Sequence, residues 1–322
     1  MNHKSHRILG IEIGGTKLQF GVGTGEEPEF QDFVRRDIER SDGAAGIQRQ
    51  ITETGRELLN RHAITAIGYG FGGPVSHATG RVVTSHQVDG WTDFPLCDWT
   101  QQELGVPAVI GNDCDVAALA ESTFGAGRGH RTVFYVTVGT GIGGGLVIDG
   151  RPHGSDRPAV AEIGHLRPGI SCQLASETVE SISSGLGMEH AARKLIRRGE
   201  NGAAELLRSA NNEPSRVTGQ LLASAAVDGS PLAQSVLTDA TTTLGWAIAQ
   251  VTTLIAPDIV VVGGGVSLMP ESVFWVPLRA AVERYSFGPL KGSCEVARAA
   301  LGEDVVVHGA IAAAACRLET HG

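Results

Sequence analysis

Two glycine-rich turns, each set between apolar runs of strand length, constrain this chain more than any other feature of its sequence. The first apolar run covers residues 7–13, turns through Gly14, Gly15, Thr16 and Lys17, and resumes over residues 18–22. The second covers residues 132–138, turns through Gly139, Thr140 and Gly141 as far as Gly145, and resumes over residues 146–148 before an Asp149-Gly150 turn. Both read as β-hairpins whose turns offer backbone N–H groups and hydroxyls with no side chain in the way, which is what a polyphosphate needs. A chain carrying this device twice is expected to hold a nucleotide between two lobes.

The commoner phosphate motifs fit neither turn. Gly139, Gly141 and Gly144 match the spacing of the dinucleotide fingerprint, but that fingerprint must open a helix, and here strand residues and an Asp-Gly turn follow. Gly10, Gly15, Thr16 and Lys17 approach a P-loop with Thr and Lys in the wrong order and a strand behind them.

Further along, residues 44–59 have helical spacing, and residues 63–68 read as a strand running into a turn at residues 70–74. A strand near residues 82–83, a helix near 99–104 and a strand over 106–110 lead to Asn112 and Asp113. Residues 116–124 are helical again, and Gly125-Ala126-Gly127 reads as the stop signal. Such alternation indicates an α/β domain. Residues 185–256 are almost wholly helix-patterned, with polar breaks near 199–202 and 211–215. A buried strand over 258–262 then meets a third glycine turn, residues 263–265, and an Ala-rich helix over 309–318 is suited to close packing on a neighbour.

The chain has 322 residues, enough for two domains, and 44 glycines, roughly twice the usual share. Its 26 Lys and Arg against 35 Asp and Glu give a net charge of −9 without a basic stripe, so a nucleic acid partner is not expected. The first seven residues are polar, and no apolar stretch approaches the roughly 18 residues of a membrane span. Five scattered cysteines form no CxxC pair or disulfide framework. A soluble cytoplasmic protein without a membrane partner is expected.

The three glycine turns, in this order, resemble the two phosphate motifs and the adenosine motif of the actin, hexokinase and heat-shock-70 ATPase superfamily. Residues 11–17, 72–75, 90–96, 112–113, 139–144, 162–165 and 259–265 narrow the resemblance to the bacterial ROK (repressor, open reading frame, kinase) sugar kinases. The resemblance implies an α/β, two-domain actin-like (ribonuclease H-like) fold with a cleft between the lobes. The expected domains are residues 1–118 with about 306–322, and residues 119–305. It further implies ATP-dependent phosphorylation of a hexose, glucose to glucose 6-phosphate first, with fructose, mannose or an N-acetylhexosamine as alternatives and polyphosphate as an alternative donor. The expected assembly is a homodimer.

By the same resemblance Asp113 is the catalytic base. A carboxylate there can take the proton of a sugar hydroxyl as its oxygen attacks the γ-phosphate. Gly73, Asn112, Glu162, His165 and Glu180 are the other implied sugar-binding residues, with Glu177 a competitor for the place of Glu180. Gly14, Gly15, Thr16, Gly139, Thr140 and Gly141 would face the phosphates, and Gly264 and Gly265 the adenosine. Lys17 reads equally as a phosphate neighbour or a solvated hairpin lysine.

Three departures qualify the resemblance. Position 12 is Glu where the family has the Asp that helps place the Mg²⁺ shell, which keeps the charge and shifts its position. Gly111 replaces the Glu of the family's Glu-Asn-Asp, and the Asn ahead of Gly90-Trp91 is replaced around Gln87. The family's zinc segment, Cys-x-Cys-Gly-x-x-Gly-Cys, is reduced here to Cys172, and with His165 this cannot complete four tetrahedral ligands, so zinc is not expected. Repressor members carry a helix-turn-helix ahead of the first phosphate motif, whereas the first strand here begins near Arg7. The rival expectation is therefore a catalytically weak sugar sensor.

Overall fold

The computed structural model describes residues 6–85, 88–154, 157 and 159–321; Gln87 lies outside them. The chain forms two compact units, one of Met1–Val133, Gly145–Val160 and Ala300–Gly322, the other of Phe134–Gly144 and Ala161–Ala299.

Five strands build the first sheet: β1 (Arg7–Ile13), β2 (Lys17–Gly23), β3 (Asp32–Asp37), β4 (Ile64–Phe71) and, after a small hairpin of β5 (Val75–Ser76) with β6 (Arg81–Val82), β7 (Ala108–Asn112). Their order is β3-β2-β1-β4-β7. β1, β2 and β3 pair antiparallel, while β4 and β7 run parallel to β1. The second sheet contains β8 (Thr132–Val138), β9 (Ile142–Ile148), β10 (Arg151–Pro152), β11 (Ile259–Gly263) and β12 (Glu295–Arg298), in the order β10-β9-β8-β11-β12. Counted along the chain, both sheets read third, second, first, fourth, fifth. This repeated order is the ribonuclease H-like arrangement of the actin-like two-domain fold.

In the first unit the period-2 alternation of β1 separates two cores. Leu9, Ile11 and Ile13 join Ile47, Ile51 and Leu58 of α1 (Gly43–Arg61) and Leu96 of α2 (Leu96–Leu104) on one face. Ile8 joins Val307 and Ile311 of α10 (Val305–His321) on the other, which places Gly10 and Glu12 on the α10 side. The glycine excess has a packing reason there. A Cβ on Gly68 would overlap the carbonyl of Ala310, and one on Gly309 would overlap the carbonyl of Val116 in α3 (Asp113–Thr123). The Ala-rich last helix thus packs on both the sheet and α3 at backbone distance.

The second unit adds α4 (Val179–Ser183), α5 (Gly185–Arg198), α6 (Ala203–Ser209), α7 (Gly219–Val227), the 25-residue α8 (Pro231–Ile255) and α9 (Trp275–Tyr285). Among the described residues no helix is long and apolar enough to cross a membrane.

Some expectations are corrected. The second glycine turn ends at Gly141, because β9 already begins at Ile142. Gly144 and Gly145 are strand residues whose backbones lie against the carbonyls of Ala161 and Cys114, where a side chain would not fit. β4 likewise continues through Gly70 and Phe71. Gly125 and Gly127 stand just past the end of α3 as expected, yet neither is a left-handed cap. A Cβ at Gly125 would collide with the Glu121 carboxylate.

Candidate active site

The first glycine turn is fastened mainly through its carbonyls and leaves two of its amides without an acceptor among the described residues. Gly14 N donates to Lys17 O at 3.1 Å, Ile38 N to Thr16 O at 2.9 Å, and Arg40 Nε to Gly15 O at 3.0 Å. The amides of Gly15 and Thr16 donate to no described residue, and Thr16 is exposed. Two adjacent N–H groups without a protein acceptor are available to an anion. Gly14, by contrast, spends its amide inside the turn.

Asn112 closes β7 and caps α3. Its Oδ1 accepts from Cys114 N at 2.9 Å, and its Nδ2 donates to Gly73 O at 3.1 Å. Those bonds draw Gly73, Asn112 and Asp113 together within the first unit. Asp113 is the first residue of α3, and its Oδ1 also accepts from Cys114 N at 2.9 Å. Burial raises the Asp113 carboxyl above its ordinary range, opposed by hydrogen bonds from Cys114 and Asn112.

Glu12 reaches the same region from β1. Its Oε2 is buried, takes no hydrogen bond, and lies 3.7 Å from Lys17 Nζ. Lys17 is therefore an ion-pair partner of Glu12 and less a solvated lysine. Burial pushes the Glu12 carboxyl from 4.5 up to about 7; Lys17 opposes this, and Asp113 and Asp304 add to it. Asp304, which ends the 3₁₀ turn before α10 and accepts from Gln19 Nε2 at 3.0 Å, is a charge that no sequence motif announced. Its one signal was an acidic residue at a helix start.

These groups suit a Mg²⁺ shell. An unsatisfied carboxylate oxygen among surplus negative charge gains from a dication, and Mg²⁺ keeps several of its own waters. Among the described residues no three His, Cys, Asp or Glu are arranged to hold a metal ion.

A pH prediction follows. Between pH 4.5 and 7 folded Glu12 keeps a proton that the unfolded chain has released, so its contribution is complete below pH 4.5 and lost as pH rises to 7. Without divalent cations, stability is expected to fall by about 3 kcal/mol across that window relative to Glu12→Gln. Urea melts at stepped pH measure this, and parallel profiles for the two proteins would refute it.

In the second unit, Gly139 N donates to Gly141 O at 2.9 Å, Gly185 N donates to Gly139 O at 2.8 Å, and Thr140 is exposed. The backbone of Ile142 gathers the other candidates. Its N–H donates to Glu180 Oε2 at 2.7 Å, and its carbonyl lies where a Cβ on Gly164 would sit. Glu162 centres an inverse γ-turn, with φ −70, ψ 67 and an Ile163 N to Ala161 O bond of 2.7 Å. Ala161 before it holds φ 62, a strained value for alanine. His165 ends the short 3₁₀ turn that follows and is exposed. Glu180 thus stands at the second glycine turn, whereas Glu177 accepts from Leu174 N at 2.9 Å within its own loop.

Gly264 has φ 82 and lies against the Val138 backbone, a position only glycine fits, while Gly265 has open space where a Cβ would be. Gly265 is the better placed of the two to admit a ligand.

The segment around Cys172 supplies that one thiol, and with the His165 imidazole it falls short of the four ligands of a tetrahedral zinc. Cys172 donates its amide to Gly169 O within a tight turn, and Ile170 and Leu174 beside it are exposed apolar residues. Elemental analysis is expected to find well under one zinc per chain, and zinc-selective chelation to leave the melting temperature unaltered. One tightly held zinc, lost together with fold or activity, would overturn this.

The ROK family pattern matches residues 8–316. A glucokinase of Thermotoga maritima is 30% identical over 94% of this chain and 96% of its own length. A kanosamine kinase of Amycolatopsis mediterranei is 33% identical over 95% of both chains. The crystal structure of a ROK family glucokinase from Streptomyces griseus, in complex with glucose and AMPPNP, superposes with a TM-score of 0.78 at 30% identity, covering 96% of this chain and 99% of that one.

Proposed function

The chain belongs to the ROK family, and from that premise we propose that it is an ATP-dependent sugar kinase acting on a hexose hydroxyl, glucose first among the candidates. The observation that carries the reading is Asp113, a carboxylate raised by burial at the head of α3, joined through Asn112 to Gly73 and in one unit with a turn bearing two open amides.

Asp113 accepts the hydroxyl proton as the sugar oxygen attacks the terminal phosphate, and a raised pKa suits it to hold that proton. Gly15 and Thr16 offer N–H groups to oxygens that gain charge in the transfer. Glu12 would hold Mg²⁺ through water, and the ion would neutralise charge on the phosphates. In the second unit, Glu162 and His165 have the directional donors and acceptors that sugar hydroxyls require. Glu180 stiffens the turn that precedes Ile142.

The glucokinase relatives favour glucose, and the kanosamine kinase keeps amino sugars in play. A coupled-enzyme screen of glucose, fructose, mannose, N-acetylhexosamines and kanosamine, with Mg-ATP and with polyphosphate, tests the reading. Turnover on at least one hexose is expected. Sugar binding without turnover on any would instead favour a sensor, the alternative that glutamate at position 12 keeps alive.

A further inference from the structure

Every arginine from β3 to the end of α1 except Arg40 is spent on a carboxylate. Arg35 pairs with Glu303, Arg36 with Glu57, Arg49 with Asp42, Arg56 with Glu103 and Arg61 with Asp32. Lys17, the cation inside the turn, is drawn to Glu12. Arg40 differs: among the described residues it pairs with no carboxylate, and its one bond is from Nε to the carbonyl of Gly15, at 3.0 Å. That carbonyl belongs to one of the two residues whose amides are open.

We propose that Arg40 is a phosphate-binding residue for the phosphoryl donor, held by its Nε on the Gly15 carbonyl so that its Nη groups take other oxygens of the same polyphosphate that the Gly15 and Thr16 amides hold. A guanidinium is planar and rigid, so fixing Nε fixes the direction of the four remaining N–H donors. Those donors match phosphate oxygens in bidentate fashion. Arg40 also brings a positive charge that no carboxylate among the described residues holds, whereas that of Lys17 is paired with Glu12. Arg40 lies on the exposed connection between β3 and α1, outside every glycine motif, so motif spacing could not reveal it. The inference deepens the kinase reading and rests on it.

The test is calorimetric titration of the full chain with Mg-AMPPNP, alongside steady-state kinetics on the best hexose, for wild type, Arg40→Met and Arg40→Lys. Arg40→Met is expected to weaken AMPPNP binding and raise the KM for Mg-ATP by about 10- to 100-fold. The sugar KM and melting temperature should stay at wild-type values. Arg40→Lys, which restores charge without the planar fork, should recover part of the loss. AMPPNP affinity of Arg40→Met within twofold of wild type would overturn the proposal. So would a loss shared with sugar affinity and melting temperature, the mark of a collapsed turn. A wild type that neither binds AMPPNP nor turns over any hexose would instead overturn the kinase reading, and this inference with it.

Discussion

Asp113→Asn is expected to lower turnover by roughly 10² to 10⁴ while leaving sugar affinity and stability near wild type. The substitution keeps the side-chain shape and an Oδ1 that can accept from Cys114 N, and Asn112 still caps α3. What disappears is the basic oxygen that takes the hydroxyl proton. The pH profile gives a second reading. Because burial raises the Asp113 carboxyl, the acid limb of wild-type turnover should lie above the ordinary aspartate range, with activity rising as pH passes through the raised pKa. Asp113→Asn should lose that limb. Near-normal turnover in the variant, or an unchanged limb, would show that another group is the base.

What was legible in the sequence is what local chemistry specifies. β1 and the first turn stand out because alternating burial and consecutive glycines are short-range signals. Asn112 and Asp113 are legible for the same reason, lying where a strand ends and a helix begins. β3 and β12 are missed because both are edge strands without a buried residue and rich in charge, and only the neighbouring strand makes them strands. The length of the second turn is misjudged because Gly144 and Gly145 answer to the carbonyls of Ala161 and Cys114, distant in the chain. The charges that tune the site share this character. Asp304 faces Glu12 across nearly the whole sequence, and Arg40 reaches Gly15 from a loop without a motif.

Glu121→Ala is expected to destabilise the protein by about 3 to 5 kcal/mol, the largest stability effect of any substitution proposed for this chain. Glu121 lies on α3 and is fully buried with no cation paired to it among the described residues. Three backbone donors satisfy its carboxylate instead: Ala126 N at 2.8 Å, Ala300 N at 2.9 Å and Leu301 N at 3.0 Å. Truncation strands all three in a site closed to water and opens a cavity, and each stranded donor costs roughly 1 to 3 kcal/mol before the structure relaxes. Glu121→Gln should fall between, since its carbonyl oxygen still accepts while its NH₂ group turns a donor toward a donor. The series separates charge from volume. Urea unfolding measures the loss, and hydrogen exchange locates it, with protection falling first in peptides spanning residues 124–128 and 299–303. The carboxylate ties the end of α3 to the entry of α10, so weakening it should loosen the frame that carries Asp113 at the far end of α3 and Asp304 at the entry of α10. An alanine variant with wild-type unfolding midpoint and unchanged protection in both peptides would show that the two loops hold their shape without the carboxylate.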